Sequence, residues 1–168
     1  KNLKAVVVNG NGKTDVNDLK GLNDSLKALS KGIIEAAIGL KKLGTGGALT
    51  VFEEMGSLPI QNWRYVGRWK EGAQKISGRT LVDSYGTGNY SCKRCIIGCG
   101  KKVEVKDGPY KSIEQPAPEY ETLAFMGSNC LVDDLEAIIK ANELCNRYGL
   151  DTMGTGSVIA FGMEAFEK

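Results

Sequence analysis

The sequence has 168 residues, 42% hydrophobic and 25% charged, and its formal net charge is +2. This balance is typical of a folded domain, and folding could bury roughly 70% of the surface that the unfolded chain exposes. Basic and acidic residues are interspersed, so we predict no nucleic-acid partner. The chain contains no histidine, which excludes Ser-His-Asp and Cys-His catalytic sites and histidine-bearing zinc sites.

The apolar stretches are short. The longest, such as Ala5–Val8, fall far below the ~20 residues that a membrane helix needs, and the N-terminus lacks the features of a signal peptide. We therefore predict no membrane partner and a cytoplasmic location. Three of the five cysteines lie within eight residues, a grouping that favours reduced or metal-bound thiols over disulfides.

The first part of the chain predicts one strand followed by helices. Leu3–Val8 is a β-branched run that ends at two Asn-Gly pairs, which predicts a short strand. Gly12-Lys13-Thr14 imitates the end of a phosphate-binding loop, but Val7 stands where that loop requires glycine. Between Asp15 and Leu43 apolar residues recur every three or four positions, which predicts two helices broken near Ser30–Gly32.

The middle of the chain has weaker signals. Gly44–Gly47 is interpreted as a turn rather than a phosphate site, and Ala48–Met55 is predicted as a short amphipathic helix. The stretch that follows is expected to be irregular, with one short helix near Arg79–Tyr85. Lys101–Val105 and Tyr110–Ile113 flank a Lys-Asp-Gly-Pro sequence, which predicts a β-hairpin just after the cysteines.

Two helices are predicted at the C-terminal end. Asp133-Asp134-Leu135-Glu136 has the spacing of a helix N-cap with its reciprocal acid, and Gly149 ends that helix. A last helix is expected over Val158–Phe166. The fold class is therefore mainly α: a helical domain with a short N-terminal strand and a small β-hairpin near the cysteine loop. The apolar face of the first of these helices comprises Leu135, Ile138, Ile139 and Cys145.

The cysteines form the main candidate site. Cys92-Lys-Arg-Cys95-Ile-Ile-Gly-Cys99 places three thiols on a stretch short enough to surround one soft metal centre. Structural zinc usually takes four protein ligands, and there is no second Cys-x-x-Cys. A cubane cluster takes three thiolates from a compact loop and one from elsewhere, so an iron–sulfur cluster is favoured, with zinc and metal-free thiols as alternatives. Cys130 is the in-chain candidate for a fourth ligand, whereas Cys145 is expected to be a buried free thiol.

The cysteine loop is one of six distinctive blocks. The others are Gly44-Thr-Gly-Gly-Ala-Leu, Met55-Gly-Ser-Leu-Pro-Ile-Gln-Asn-Trp63, Pro118-Glu-Tyr-Glu-Thr122, Gly127-Ser-Asn-Cys130 and Asn146-Arg-Tyr-Gly-Leu-Asp151. In order and approximate spacing, these blocks resemble the aldehyde:ferredoxin oxidoreductase family of tungsten or molybdenum bis-pterin enzymes. Family members are much longer, so the resemblance implies a central segment. Residues 1–12 would end the N-terminal pterin-binding β domain, and residues 13–168 would belong to the helical second domain.

The resemblance also implies cofactor ligands. Cys92, Cys95 and Cys99 would hold a [4Fe-4S] cluster whose fourth cysteine lies in a later domain. The block that contains Asn146, Gly149, Leu150 and Asp151 looks like the first of two pterin-contacting Asp-x-x-Gly-Leu motifs. The amide at its first position replaces an acid, so that contact loses a charge. A glycine-ended helix followed by an Asp cap explains the same block without a ligand.

Two further residues would be catalytic. Glu121 matches a carboxylate that the family places near the metal, and Tyr120 lies beside it. Such an acid could accept a proton from metal-bound water or a hydrated aldehyde. Without the resemblance, the same residues are interpreted as an acidic first helical turn after Pro118, and Glu119 is the ordinary first-turn acid.

The implied function is oxidation of aldehydes to carboxylic acids at a tungsten or molybdenum bis-pterin centre, with electrons passing through the cluster to ferredoxin. One alternative is a segment of the catalytic subunit of a class II aromatic-ring reductase of the benzoyl-CoA type. Another is a non-catalytic helical module that binds zinc. The expected partners are ferredoxin and the remaining domains of the same chain. The sequence does not decide whether the protein forms a homo-oligomer. The 168 residues alone are expected to be inactive.

Overall fold

The computed structural model describes residues 3–168; Lys1 and Asn2 lie outside the described part. This part is mainly helical with one small antiparallel sheet, which confirms the predicted fold class. The helices are α1 Leu19–Ala36, α2 Ile38–Leu43, α3 Leu49–Glu54, α4 Lys70–Lys75, α5 Gly78–Tyr85, α6 Tyr120–Thr122, α7 Leu135–Tyr148 and α8 Thr152–Glu167. The strands are β1 Gly86–Tyr90, β2 Gly100–Val103 and β3 Gln115–Pro116. No helix between residues 3 and 168 is both long and apolar enough to cross a membrane.

The predicted N-terminal strand is not formed. Residues 3–16 have no regular secondary structure and are exposed, and Val7 is 91% exposed. A β-branched run becomes a strand only beside another strand, and the described sheet pairs only β1, β2 and β3. That part of the prediction was wrong. The assignment of residues 1–12 to a preceding domain stays a prediction, and it begins on residues outside the described part.

The two predicted N-terminal helices are present, but they are divided at a different place. Helix α1 runs without interruption through Ser30–Gly32, and the chain leaves it at Ala37. The Ser30 hydroxyl donates to the Leu26 carbonyl, a back-bond that a helix accommodates. Asp18 caps α1 by accepting a backbone N–H of the first turn at 2.8 Å. No residue of α1 is buried, so this helix lies outside the core.

The hairpin predicted after the cysteines is present with a later return strand. Strands β2 and β3 pair antiparallel, with Lys102 opposite Pro116 and Val103 opposite Gln115. The prediction placed the return strand at Tyr110–Ile113. In the structure the chain makes a wide loop before it pairs with β2 again, so those residues lie in the loop.

Strand β1 was not predicted. Its sequence, Gly-Thr-Gly-Asn-Tyr, has low strand propensity and is exposed along its length, so no hydrophobic alternation marks it. It pairs antiparallel with β2, from Gly86 opposite Val103 to Tyr90 opposite Gly100. The paired residues are 10 to 17 positions apart in the chain, a separation that local sequence patterns do not reveal. Strands β1 and β2 are the two arms that carry the cysteine loop.

The core lies between α3, α5, α7 and the segment from residue 120 to 131. This segment passes from α6 through a π-helical turn, Leu123–Gly127, to a 3₁₀ turn, Ser128–Cys130. The predicted short helices at residues 48–55 and 79–85 are confirmed as α3 and α5. Fully buried side chains are contributed by Leu49, Leu58, Ile76, Leu81, Leu123, Ile138 and Ile139.

Helix α7 has the predicted apolar face and the predicted glycine end. Its N-cap is Asp134 rather than Asp133, because the Asp134 carboxylate accepts the backbone N–H groups of Glu136 and Ala137 at 3.1 and 3.2 Å. Gly149 ends the helix with a φ of 68°, a left-handed conformation that favours glycine. The buried residues of α7 include Leu135, Ile138, Ile139 and Cys145.

Helix α8 begins at Thr152, earlier than the predicted Val158, and crosses the core segment at Gly156. A Cβ atom at Gly156 would lie 2.5 Å from the carbonyl oxygen of Phe125 and 3.0 Å from the backbone nitrogen of Met126. The two backbones can approach this closely only because residue 156 has no side chain. The close crossing fixes the junction between α7 and α8 against the segment that contains Tyr120 and Glu121.

Candidate metal centre and the residues around it

The three clustered cysteines lie at the tip of the β1–β2 hairpin. Residues 91–99 connect the two strands, and the last strand pair, Tyr90 with Gly100, closes the loop. A Cβ atom at Gly100 would lie 2.5 Å from the Tyr90 ring, so this ring packs directly over the glycine. Within the loop, the backbone N–H of Cys95 donates to the Cys92 carbonyl at 3.0 Å. The loop is thus a tight turn held between two paired strands.

The thiols of this loop are free and accessible. Cys92 and Cys95 are exposed and Cys99 is partly exposed. The backbone N–H groups of Gly98 and then Ile97 lower the pKa of the Cys95 thiol, because each donates a hydrogen bond to sulfur, while desolvation opposes them. Such N–H donors stabilise a thiolate, which is the form that binds metals.

The donor set suits a soft metal centre, but its side chains do not yet surround one point. Among residues 3–168, no group of three or more Cys, Asp or Glu side chains is arranged to hold a metal ion. The fit therefore rests on donor chemistry and on the short loop: three thiols between two paired strands, with amide N–H groups directed at Cys95. Binding of a metal centre to the loop would require the three cysteine side chains to turn toward one another.

Beside the loop lies a buried lysine that no sequence pattern marks. Lys101 is only 4% exposed. Its Nζ donates to the carbonyl oxygen of Lys41 and, at 2.8 Å, to Oδ1 of Asn89. Burial lowers the pKa of Lys101 from its ordinary value, while the nearby Cys99 and Glu119 oppose that change. A lysine at the first positions of a strand carries no sequence signal of burial, so only the fold shows it.

Gly44 and Thr45 connect the cysteine loop to the segment with the candidate catalytic residues. Gly44 has a φ of 66°, and a Cβ atom there would lie 3.2 Å from the Cys99 carbonyl oxygen. The hydroxyl of Thr45 donates to the Glu119 carboxylate, and its oxygen accepts the backbone N–H of Tyr120 at 2.8 Å. Thr45 was part of a sequence block in the resemblance, but no role had been assigned to it.

Tyr120 and Glu121 occupy the single turn α6. The Tyr120 ring packs edge-on against Phe52, with ring centroids 5.0 Å apart and an interplanar angle of 65°. Burial, and secondly the charge of Glu121, raises the pKa of the Tyr120 hydroxyl. Glu121 is exposed. Glu119, predicted as an ordinary first-turn acid, instead holds Thr45 through its carboxylate.

The candidate pterin residues lie at the junction of α7 and α8. Asn146 donates through Nδ2 to the Asn142 carbonyl at 2.9 Å, and Asp151 caps α8 by accepting the Gly154 N–H at 2.5 Å. Gly149 and Leu150 between them are exposed. A cavity of about 380 Å³ beside this junction is lined by Asp151, Gly154, Thr155, Val158 and Ile159. Asn146 and Asp151 therefore have local structural roles, and both residues are exposed.

Hydrogen bonds at turn α6 link these groups. The hydroxyl oxygens of Thr122 and Thr152 lie 2.9 Å apart, which ties α6 to the start of α8. Turn α6 thus contacts Thr45 through Tyr120 and the start of α8 through Thr122. The cavity beside the cysteine loop, about 270 Å³, is lined by Lys41, Asn89–Ser91 and residues 95–98.

The two remaining cysteines lie away from the loop. Cys145 is buried on the core face of α7, as predicted. Cys130 is also buried, and its thiol donates to the carbonyl oxygens of Phe125 and Gly156 at 3.4 and 3.6 Å. Burial raises the pKa of the Cys130 thiol, which disfavours the thiolate needed for metal binding. Both cysteines line an apolar cavity of about 460 Å³ between α7 and α8.

The chain was compared with known proteins. Residues 24–168 match the family model described as "Aldehyde ferredoxin oxidoreductase, domains 2 & 3". The whole chain is 34% identical to the tungsten-containing aldehyde ferredoxin oxidoreductases of Pyrococcus horikoshii and Pyrococcus abyssi, covering 27% of each. It is 30% identical, with the same coverage, to the aliphatic sulfonate oxidoreductase WOR-like subunit of Pyrococcus furiosus. These findings define a class of oxidoreductases, and the chain belongs to the aldehyde ferredoxin oxidoreductase family.

The predicted resemblance to this family, as a central segment, is therefore confirmed. The chain spans 27% of the length of the curated relatives that it matches.

Proposed function

We propose that this chain is the part of a tungsten-pterin oxidoreductase that binds three corners of a [4Fe-4S] cluster, through Cys92, Cys95 and Cys99. In the whole protein an aldehyde would be oxidised to a carboxylic acid, and electrons would pass through the cluster to ferredoxin. The observation that carries the proposal is the hairpin loop, which presents three free thiols between two paired strands and directs backbone N–H groups at Cys95. Family membership favours iron–sulfur over zinc for this donor set.

The chain's own residues would position, hydrogen-bond and move protons. When bound, the pterin-held metal supplies two-electron oxidation and the cluster supplies one-electron transfer. An aldehyde and a water molecule give a carboxylic acid, two protons and two electrons. Glu121 is proposed to accept one of these protons at its exposed carboxylate. Tyr120, held by Phe52 and by the Thr45 hydroxyl, would keep that carboxylate in place.

Asn146, Gly149, Leu150 and Asp151 are proposed to contact a pterin edge. The amide of Asn146 uses Nδ2 within the helix, so Oδ1 is the atom that could accept from an amino group. Asp151 uses one carboxylate oxygen as the cap of α8 and could accept with the other. The helix-capping geometry by itself explains these residues without a ligand, so this part of the proposal depends on family membership.

A related oxidoreductase with another substrate is the second candidate. The relative from Pyrococcus furiosus is named an aliphatic sulfonate oxidoreductase subunit, and it is 30% identical over the whole chain. An aromatic-ring reductase is a third candidate, in which the same site would act on an aromatic substrate. All three candidates share the proposed cluster ligands, so a test of the cluster does not depend on the substrate.

The test is anaerobic reconstitution of the whole protein, which would supply the proposed fourth cysteine, with iron and sulfide, followed by analysis of iron, acid-labile sulfide and zinc. We expect iron and sulfide to bind, with a broad absorbance band near 400 nm that a triple Cys92/Cys95/Cys99→Ser variant lacks. Cys145→Ala is the matched control, because it removes a buried thiol away from the loop. Zinc without sulfide would identify the protein as the non-catalytic zinc module. If Cys145→Ala lost iron and the triple serine variant did not, the cluster ligands would not be the loop cysteines.

The 168 residues by themselves are proposed to lack aldehyde oxidation. The relatives are almost four times longer, and the proposed second pterin motif and fourth cysteine belong to their other parts. The measurement is aldehyde-dependent reduction of a viologen dye by the purified chain. Sustained turnover would contradict this assignment of the missing groups.

A further inference from the structure

The position of Lys101 is unusual because it is a buried charge without a carboxylate partner. Its side chain is 4% exposed, yet none of the ion pairs among residues 3–168 includes it. The hydrogen-bond acceptors that it reaches are neutral, the Lys41 carbonyl and Asn89 Oδ1. A buried cation is costly unless negative charge lies nearby. The Glu119 carboxylate is near enough to raise the pKa of Lys101, but it accepts its hydrogen bond from Thr45 and makes no ion pair with the ammonium group. The positive charge of Lys101 is therefore only partly balanced by the described residues.

The neighbouring groups show where that negative charge would come from. Cys99 precedes Lys101 by two residues, and Gly44 packs against both: a Cβ atom there would lie 3.2 Å from the Cys99 carbonyl oxygen and 3.3 Å from Cγ of Lys101. Asn89, which holds the ammonium group, is the residue before Tyr90 at the other end of the same loop. Lys101 is thus joined to both arms of the hairpin and, through Lys41, to the end of α2.

We propose that Lys101 is a positioning residue that ties the two arms of the cysteine loop together and supplies the positive charge that balances the metal-bound thiolates. This inference rests on the proposed iron–sulfur function of the loop. Reduction adds one negative charge to the bound centre, so a fixed neighbouring cation favours the reduced form. Lys101 therefore raises the reduction potential of the centre and strengthens its retention.

The test uses Lys101→Met with Lys102→Met as its matched control. Both substitutions remove one positive charge and keep an unbranched side chain. Lys102 is the next residue of β2, but its Nζ pairs with Glu114 at 3.0 Å in a half-exposed ion pair, where solvent screens the charge. Each variant of the whole protein is reconstituted with iron and sulfide, and its midpoint potential is measured by anaerobic titration with dithionite. The cluster absorbance and its loss to a chelator are followed in parallel.

We expect the Lys101→Met variant to favour the oxidised form about tenfold, a fall of about 59 mV in a one-electron potential, and to lose iron faster than wild type. The Lys102→Met variant should behave like wild type in both measurements. Equal potentials for the two variants would overturn the role of Lys101. Absence of iron and sulfide from the wild-type protein would instead refute the proposed function, so the two failures are distinguishable.

A second variant separates the charge of Lys101 from its packing. Asn89→Asp is nearly isosteric and places a carboxylate beside the ammonium group, which pairs the charge without removing it. If Lys101→Met fails to fold, as judged by far-UV circular dichroism, Asn89→Asp still tests the inference. It should lower the potential in the same direction, and an unchanged potential in a folded Asn89→Asp protein would overturn the proposal.

Discussion

Two of the three glycines of helix α8, Gly156 and Gly162, lie in opposite environments and provide a matched pair of substitutions. A Cβ atom at Gly162 would meet nothing within 4 Å, whereas a Cβ atom at Gly156 would lie 2.5 Å from the carbonyl oxygen of Phe125. Both positions are helical. Replacing either glycine by alanine therefore makes the same change in helix propensity, and the difference between the two variants reports the close crossing alone.

The expected free energies follow from these environments. Alanine at 162 should stabilise the protein by about 1 kcal/mol, the usual difference in helix propensity. Alanine at 156 gains the same amount, but its methyl group overlaps backbone atoms that cannot rotate away, a cost toward the upper end of about 1–3 kcal/mol. The net expectation for Gly156→Ala is a loss of about 2 kcal/mol. At 2–4 °C for each kcal/mol, the melting temperature should fall by about 4–8 °C.

The assay is urea denaturation followed by circular dichroism at 222 nm, with thermal melting as a second measure. Equal m-values would show that the two variants unfold over the same surface. The reasoning would be refuted if Gly156→Ala were as stable as Gly162→Ala, because α8 could not then cross the core segment at the described distance.

Two further predictions concern polar contacts near the site and on α7. Thr45→Val removes the hydroxyl that accepts the Tyr120 N–H and donates to Glu119. This substitution should lower the free energy of unfolding by about 1–3 kcal/mol, measured by urea titration. The control is Thr50→Val, which should be near neutral because the Thr50 side chain makes no hydrogen bond among the described residues. Glu143 is buried between Lys140 and Arg147 at 2.9 and 3.3 Å, and the hydrogen bond from Lys140 leads the contacts that lower its pKa from 4.5. Its contribution is therefore complete above pH 4.5 and is lost as the pH falls through the lowered folded-state pKa. Glu143→Gln should cost about 1–2 kcal/mol at pH 7 and much less at pH 3, and a loss independent of pH would contradict the ion-pair explanation.

The sequence predicted best where local periodicity and capping residues act on their own. The apolar face of α7, its glycine end at Gly149 and the short helices α3 and α5 all follow from patterns within one turn or two. The break near Ser30–Gly32 was wrong because a helix tolerates a serine back-bond and an isolated glycine. The N-terminal strand was wrong because strand formation needs a partner, which sequence composition does not supply.

For the candidate site, the sequence indicated the cysteines but not what surrounds them. Strand β1 is polar and glycine-rich, so the hairpin that presents the thiols could be recognised only from its pairing with β2. The burial of Lys101 and the link from Thr45 to Tyr120 depend on contacts between residues 60 to 75 positions apart. Such long-range contacts leave no periodic trace in the chain, and they are what connects the proposed cluster ligands to the proposed proton acceptor.

The exposure of helix α1 has a consequence for local unfolding. Most of the stability of a protein helix comes from packing one face against the rest of the molecule. None of the 18 residues of α1 is buried within this chain, so α1 largely lacks that contribution here. Backbone amides of α1 should therefore exchange with deuterium long before those of α7, whose inner face is part of the core. A protease should accordingly cut near Lys20 or Lys27 while the remainder of the molecule stays folded.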